Sequence, residues 1–161
     1  PVLDYLYLTG KLRTISSVPP PVKVFDQVKL LFEGLKRVNT YQRTLALIKP
    51  DAVAAEKVPE ILEAIDGVGL AVIGSKWLQL DDYTAGEFYL EHKERPFYVK
   101  LKEFMCSGMI MALVLEGSDA IKRWRTLMGP TNSETAREKA PTSLRGRFGT
   151  DGTFNATHGS D

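Results

Sequence analysis

Apolar residues change their spacing along the chain, and each change marks an element. Thr44–Lys49 is a short apolar run closed by Pro50, which has no amide hydrogen for a ladder, so it reads as a buried strand. Pro59 suits the first turn of a helix, and Val58, Ile61, Leu62 and Ile65 share one helical face before Gly67 stops it. Leu70–Leu80 reads as a second strand. Asp81 or Asp82 offers a carboxylate cap to the next helix, which carries Phe88 and Tyr89. A helix restarted by Pro96 gathers Phe97, Leu101, Phe104 and Met105 on one face and ends at Gly108. Met109–Leu115 gives a third strand, and Ser118 is the expected cap of a helix that runs through Met128 to Gly129. With a short final segment, this order predicts a ferredoxin-like α+β sandwich: a four-stranded antiparallel sheet covered by helices.

Residues 1–42 do not share this pattern and are expected to form an N-terminal extension ahead of a domain at 43–161. Pro19, Pro20 and Pro21 favour an extended stretch, and Val24–Lys36 then places Phe25, Val28, Leu31, Phe32 and Leu35 at helical spacing. That segment predicts a docking helix, and residues 1–42 are the candidate surface for protein partners. The chain opens on Pro1 rather than Met, so a processed or partial product is expected, and no signal-peptide pattern is present.

Composition narrows the function class. At 161 residues and 43% hydrophobic, the chain is long enough for one stable core and far from the disordered classes. Its longest apolar stretch, Met109–Leu115, is much shorter than the ~20 residues of a membrane-spanning helix. Cys106 stands alone, which excludes an internal disulfide framework and a cysteine-cluster zinc site and fits an intracellular, reducing compartment. A net charge of +1 gives no reason to expect nucleic acid or a membrane as partner. The charge is nevertheless uneven: residues 121–147 carry 7 basic and 2 acidic groups, whereas 46–120 carry 7 and 13. This pattern suits a local anion site, and equally a solvated helix face.

The chemistry available is limited. No Gly-Lys-Ser/Thr follows a strand, and no strand leads into Gly146, Gly149 and Gly152, so neither kind of glycine-rich nucleotide loop is present. With only His92 and His158, no histidine metal spacing exists. If phosphate binds, side chains must hold it. His158 lies in Asn155-Ala-Thr-His-Gly-Ser-Asp161, flanked by small and hydrogen-bonding residues in a segment too polar for a core strand. An imidazole with a pKa near ~6.5 is largely uncharged at neutral pH and can act as nucleophile or base, although a surface loop histidine has the same local sequence.

Taken together, Arg43-Thr-Leu-Ala-Leu-Ile-Lys-Pro-Asp-Ala-Val53 and Asn155-Ala-Thr-His-Gly-Ser-Asp161 resemble the nucleoside diphosphate kinase family. So do Tyr89 with Arg95-Pro96-Phe97, Arg125-Thr-Leu-Met-Gly-Pro-Thr-Asn132 and Ser143-Leu-Arg-Gly-Arg-Phe148. The resemblance implies transfer of the γ-phosphoryl of a nucleoside triphosphate to a diphosphate through a phosphohistidine, with His158 as nucleophile. It assigns the phosphates to Arg125, Thr131 and Arg145, with Mg²⁺ bridging them, and the ribose hydroxyls to Lys49 and Asn155. Tyr89 would position the imidazole, and Phe97 would stack on the base beside Leu101. Arginine forks match phosphate oxygens, and an aromatic face accepts any base.

Plainer roles remain open for several of these. Phe97 and Leu101 also fit a core stripe, Tyr89 fits simple packing, and Arg125 fits a surface charge. Arg123, Arg137, Lys139 and Arg147 read as solvated charges, His92 as facing solvent, and Trp77 and Trp124 as packing residues. The longer stretch between Thr131 and Arg145, with Pro130, is similar to a divergent second group of the family, most of all its ciliary members. Compartment follows only from that likeness; cytoplasm and mitochondrial matrix also fit. The family's C-terminal helix, with a glutamate that orients the imidazole, has no counterpart before Asp161. The domain is therefore expected to lack it, and a structural or nucleotide-binding subunit of a larger assembly is the alternative to an active kinase.

Overall fold

The structure is a computed structural model and describes residues 41–160. The helix expected over 24–36, and the extension apart from Tyr41 and Gln42, lie outside the described residues. In chain order the elements are β1 (Tyr41–Ile48), α1 (Pro50–Ala54), α2 (Val58–Gly67), β2 (Ala71–Gln79), α3 (Asp82–Phe88), a 3₁₀ turn (Leu90–His92), α4 (Tyr98–Cys106), β3 (Met109–Ser118), α5 (Ala120–Met128), α6 (Ser133–Lys139), α7 (Leu144–Phe148) and β4 (Thr157–Gly159). The four strands form one antiparallel sheet in the order β2-β3-β1-β4, which is the ferredoxin-like arrangement that the pattern predicts.

β1 and β3 are central, and helices cover both faces of the sheet. Alternate residues of β1 therefore enter different apolar clusters. Ala46 and Ile48 pack with Ile61, Leu113, Leu115 and Trp124, while Leu47 packs with Phe104, Met105 and Ile110. This two-sided burial explains why β1 reads as a continuous apolar run rather than an alternating one. β2 lies at the sheet edge, and Trp77, expected to pack, is 50% exposed there.

Other boundaries differ for local reasons. β1 begins at Tyr41, three residues before Thr44, because its register with β3 continues to the pair Tyr41↔Ser118. That pairing makes Ser118 the last residue of β3, not a helix cap. Asp119 takes the N-cap position at φ 52° with no side-chain cap bond. Helices α1, α6 and α7, of five to seven residues, carry no readable apolar stripe. Pro50 starts α1, whereas Asn132 Oδ1 and Ser143 Oγ accept the Thr135 and Gly146 amides at the starts of α6 and α7. Asp81 caps α3 as expected, accepting the Thr84 amide at 2.7 Å.

The end of α5 bears directly on the site. Gly129 closes the helix at φ 80° and ψ −175°, a conformation that side chains other than hydrogen do not tolerate, and its carbonyl accepts Arg145 Nη1 at 3.0 Å. A Cβ at 129 would meet Ser143 Oγ, with Ser143 Cβ at 2.6 Å, whereas one at Gly67 meets nothing within 4 Å. Gly129→Ala should therefore cost more than about 2 kcal/mol in urea unfolding, while Gly67→Ala should be neutral or slightly stabilising. Equal effects at the two positions would contradict this account.

Candidate active site

The end of β1 and the start of β4 are bound together by backbone and carboxylate. Pro50 stops the strand and begins α1, leaving Lys49 at the junction. The Lys49 amide donates to the Ala156 carbonyl at 2.9 Å, and the Ala156 amide donates to Asp51 Oδ2 at 2.9 Å. Ala156 is held at φ 66°, a left-handed turn that directs Asn155 and His158 from the same short stretch. His158 then pairs with Leu47 in the β1–β4 ladder. It is therefore a strand residue and not a surface loop histidine, while the segment stays out of the central strands as its polarity leads one to expect. β4 is at an edge and three residues long, so little apolar content is required of it.

The imidazole stands edge-on to two aromatic rings, with centroids 5.2 Å from Phe88 and 5.7 Å from Tyr89. It forms part of the wall of a cavity of about 950 Å³. All nine side chains singled out from sequence line that cavity: His158, Tyr89, Lys49, Phe97, Leu101, Arg125, Thr131, Arg145 and Asn155. Phe97 is exposed at 45%, and Leu101 belongs to the core cluster while also lining the cavity. Tyr89 is buried, and its hydroxyl has no partner among the described residues.

The polar floor is interlocked. Lys49 Nζ donates to Asn155 Oδ1 at 2.7 Å and to the Thr153 carbonyl at 3.2 Å. Asn155 Nδ2 in turn donates to the carbonyls of Thr131, at 2.8 Å, and Gly152, at 3.0 Å. Arg145 is buried, with Nη1 directed to Gly129 and Nη2 to the Thr157 carbonyl at 3.1 Å. Its Nη1 also lies 3.5 Å from Thr131 Oγ1. Arg125 reaches the cavity from α5.

Burial and like charge drive the titration of these groups away from their ordinary ranges. Desolvation, then repulsion from Arg145, brings Lys49 down to about 8. Desolvation and the neighbouring Arg125 bring Arg145 down to about 10. His158 falls to about 4, first through desolvation and then through Lys49, Arg145, His92 and Arg125. The ring is thus uncharged at neutral pH, with a nitrogen lone pair available, beside groups that would welcome an anion. Among the described residues, no three His, Cys, Asp or Glu side chains are grouped to hold a metal ion.

Several residues depart from their expected roles. His92 does not simply face solvent: it lines the cavity, stacks on Tyr89 with centroids 6.3 Å apart and meets Phe97 edge-on at 5.6 Å. The 3₁₀ turn after Tyr89 swings it inward, which helical periodicity does not reveal. Arg123 is half-buried and donates to the Val68 carbonyl, while Arg137 stays exposed as expected and also donates to the Gly149 and Thr150 carbonyls. Arg147 is exposed, as expected, and there bonds Glu60 and lies over the Phe148 ring. Asp51 and Trp124, which grip the backbone around His158, were given no part in the site by sequence reasoning. Asp51 follows the strand-ending proline, so its place in the first turn of a helix was legible, but its partner was not.

Comparison with known proteins gives a consistent picture. A family model described as "Nucleoside diphosphate kinase" matches residues 42–161. The chain is 48% identical over 120 residues to a nucleoside diphosphate kinase of Aquifex aeolicus, covering 74% of this chain and 84% of that protein. It is 46% identical over 159 residues to nucleoside diphosphate kinase homolog 7 of Rattus norvegicus, covering 99% of this chain and 39% of that longer protein. The solved Aquifex enzyme superimposes with a TM-score of 0.74 over 76% of this chain and 86% of its own. A halophilic nucleoside diphosphate kinase from Halobacterium salinarum in complex with CDP, 37% identical, gives 0.71 over 75% and 78%.

The surroundings of His158 set a measurable property. Its ring should titrate near pH 4 rather than near the usual ~6.5, followed by the imidazole carbon and nitrogen resonances in NMR. A midpoint of about 6 or above would mean that the ring is solvated and not buried beside the cations.

Proposed function

The chain belongs to the nucleoside diphosphate kinase family, and on that premise we propose that it transfers the γ-phosphoryl of a nucleoside triphosphate to a nucleoside diphosphate through a phosphohistidine at His158. In the first half-reaction an unprotonated imidazole nitrogen attacks the γ-phosphorus in line. A P–N bond forms, the bond from phosphorus to the β-γ bridging oxygen breaks, and the diphosphate departs with that electron pair. The second half-reaction reverses these steps on a different diphosphate. Because the P–N bond keeps most of the transfer potential, exchange between nucleotides is nearly free in energy.

The observation that carries this reading is His158 held uncharged at the wall of a cavity that Lys49, Arg125 and Arg145 also line. Arg125, Thr131 and Arg145 are the phosphate-holding groups, and neutralising charge on the equatorial oxygens is the main requirement of such a transfer. Lys49 and Asn155, already joined, present a rigid polar edge to the ribose hydroxyls. Phe97, exposed at the mouth, offers a stacking face indifferent to the base, with Leu101 beside it. Tyr89 keeps the imidazole in place through ring contact. Mg²⁺ would enter as part of the substrate and offset charge on its phosphates, since the donors around the cavity suit phosphate oxygens rather than a metal. The CDP complex of the halobacterial relative supports a nucleoside diphosphate as one ligand class.

Incubation with γ-labelled ATP and Mg²⁺ should place acid-labile, base-stable label on the protein. Label and ATP-to-GDP exchange should both vanish in His158→Ala. Nucleotide binding by a wild-type chain that takes no label would instead favour the non-catalytic, nucleotide-binding subunit.

A further inference from the structure

The ladder around His158 is short, bounded by the Lys49 amide on the Ala156 carbonyl and by the Ser160 amide on the Leu45 carbonyl. Among the described residues β4 has three residues and pairs with β1 alone, so its register is short of the redundancy that longer strands enjoy. A side chain from outside the sheet adds a bond at this point. Trp124 Nε1–H on α5 donates to the His158 carbonyl oxygen at 3.2 Å. The indole is completely buried, and this bond satisfies its single donor.

The next residue shows how closely the two segments meet. A Cβ on Gly159 would lie 2.5 Å from Trp124 Nε1, 2.6 Å from Cδ1 and 2.8 Å from Met128 Cε. The strand can therefore run against the edge of the indole because residue 159 has no side chain. Arg125 follows directly in sequence and lines the cavity. Adjacent positions of one helix thus hold the strand bearing the imidazole and present a cationic group to the same cavity.

We propose that Trp124 is a positioning residue for His158. This rests on the phosphohistidine reading. The indole N–H fixes the peptide plane that follows His158, which limits rotation at residue 158 and so keeps the Cα–Cβ bond aimed into the cavity. α5 thereby sets the span between the nucleophile and Arg125 as one rigid unit. A tryptophan required only for volume gains nothing from directing its N–H at that carbonyl rather than at another acceptor.

Trp124→Phe removes the donor and keeps most of the aromatic volume. The expected result is about a tenfold fall in kcat for ATP-to-GDP exchange, with KM nearly unchanged, the equivalent of one lost hydrogen bond felt in the transition state. The ¹³C resonance of the His158 carbonyl and the ¹⁵N resonances of its ring should both shift in this variant. Gly159→Ala, which forces the strand away from the indole, should produce the same pattern. Wild-type kcat in Trp124→Phe with unmoved His158 resonances would reduce Trp124 to packing and overturn the inference. If the wild type takes no label, the phosphohistidine reading fails, and unmoved resonances still overturn the positioning role by themselves. Should Trp124→Phe fail to fold, the temperature coefficient of the wild-type Trp124 indole proton decides: a value typical of a free indole N–H excludes the bond.

Discussion

Ala156 donates its amide to Asp51 and accepts from the amide of Lys49, at a left-handed backbone angle that alanine adopts only under constraint. This double bond to the β1–α1 junction is the constraint from which the site follows. It brings the Asn155 amide onto Lys49 and sets the register that pairs His158 with Leu47. Burial raises the Asp51 carboxyl above its usual range, while the amides it accepts and the charge of Lys49 pull it back down; the residue serves backbone geometry.

Crowded cations give the cavity its character. Lys49 and Arg145 are both buried, and each is depressed by desolvation and by a neighbouring cation. Cations crowded in a low-dielectric setting favour an anion that can relieve their repulsion, and they disfavour a charged imidazole among them. The same electrostatics thus keep His158 uncharged and make the cavity receptive to phosphate. Arg145 does this while its two Nη groups bond to Gly129 and Thr157, so its guanidinium is oriented before any ligand arrives.

Secondary structure was legible where burial imposed a period. The stripe Val58, Ile61, Leu62 and Ile65, the capping Asp81 and the apolar run of β3 correspond to observed elements. The helices α6 and α7 were not, because they are short, polar and begun by single capping side chains. Ser118 misled because a serine before a helical run looks like a cap, yet strand pairing claimed it first. His92 misled because the turn that redirects it has no period at all.

What the sequence by itself determined is the inventory: an imidazole between small residues, the lysine before a strand-ending proline, two arginines and an aromatic after a proline, all in family order. Local chemistry suffices for that, since residue type and capping are properties of neighbours in the chain. Which of those groups share one cavity, how far desolvation lowers His158, and that Asp51 and Trp124 grip its backbone were decided by the tertiary structure alone. Each of these depends on approach between segments some 30 to 110 residues apart, and the free energy of burial exists only once they meet.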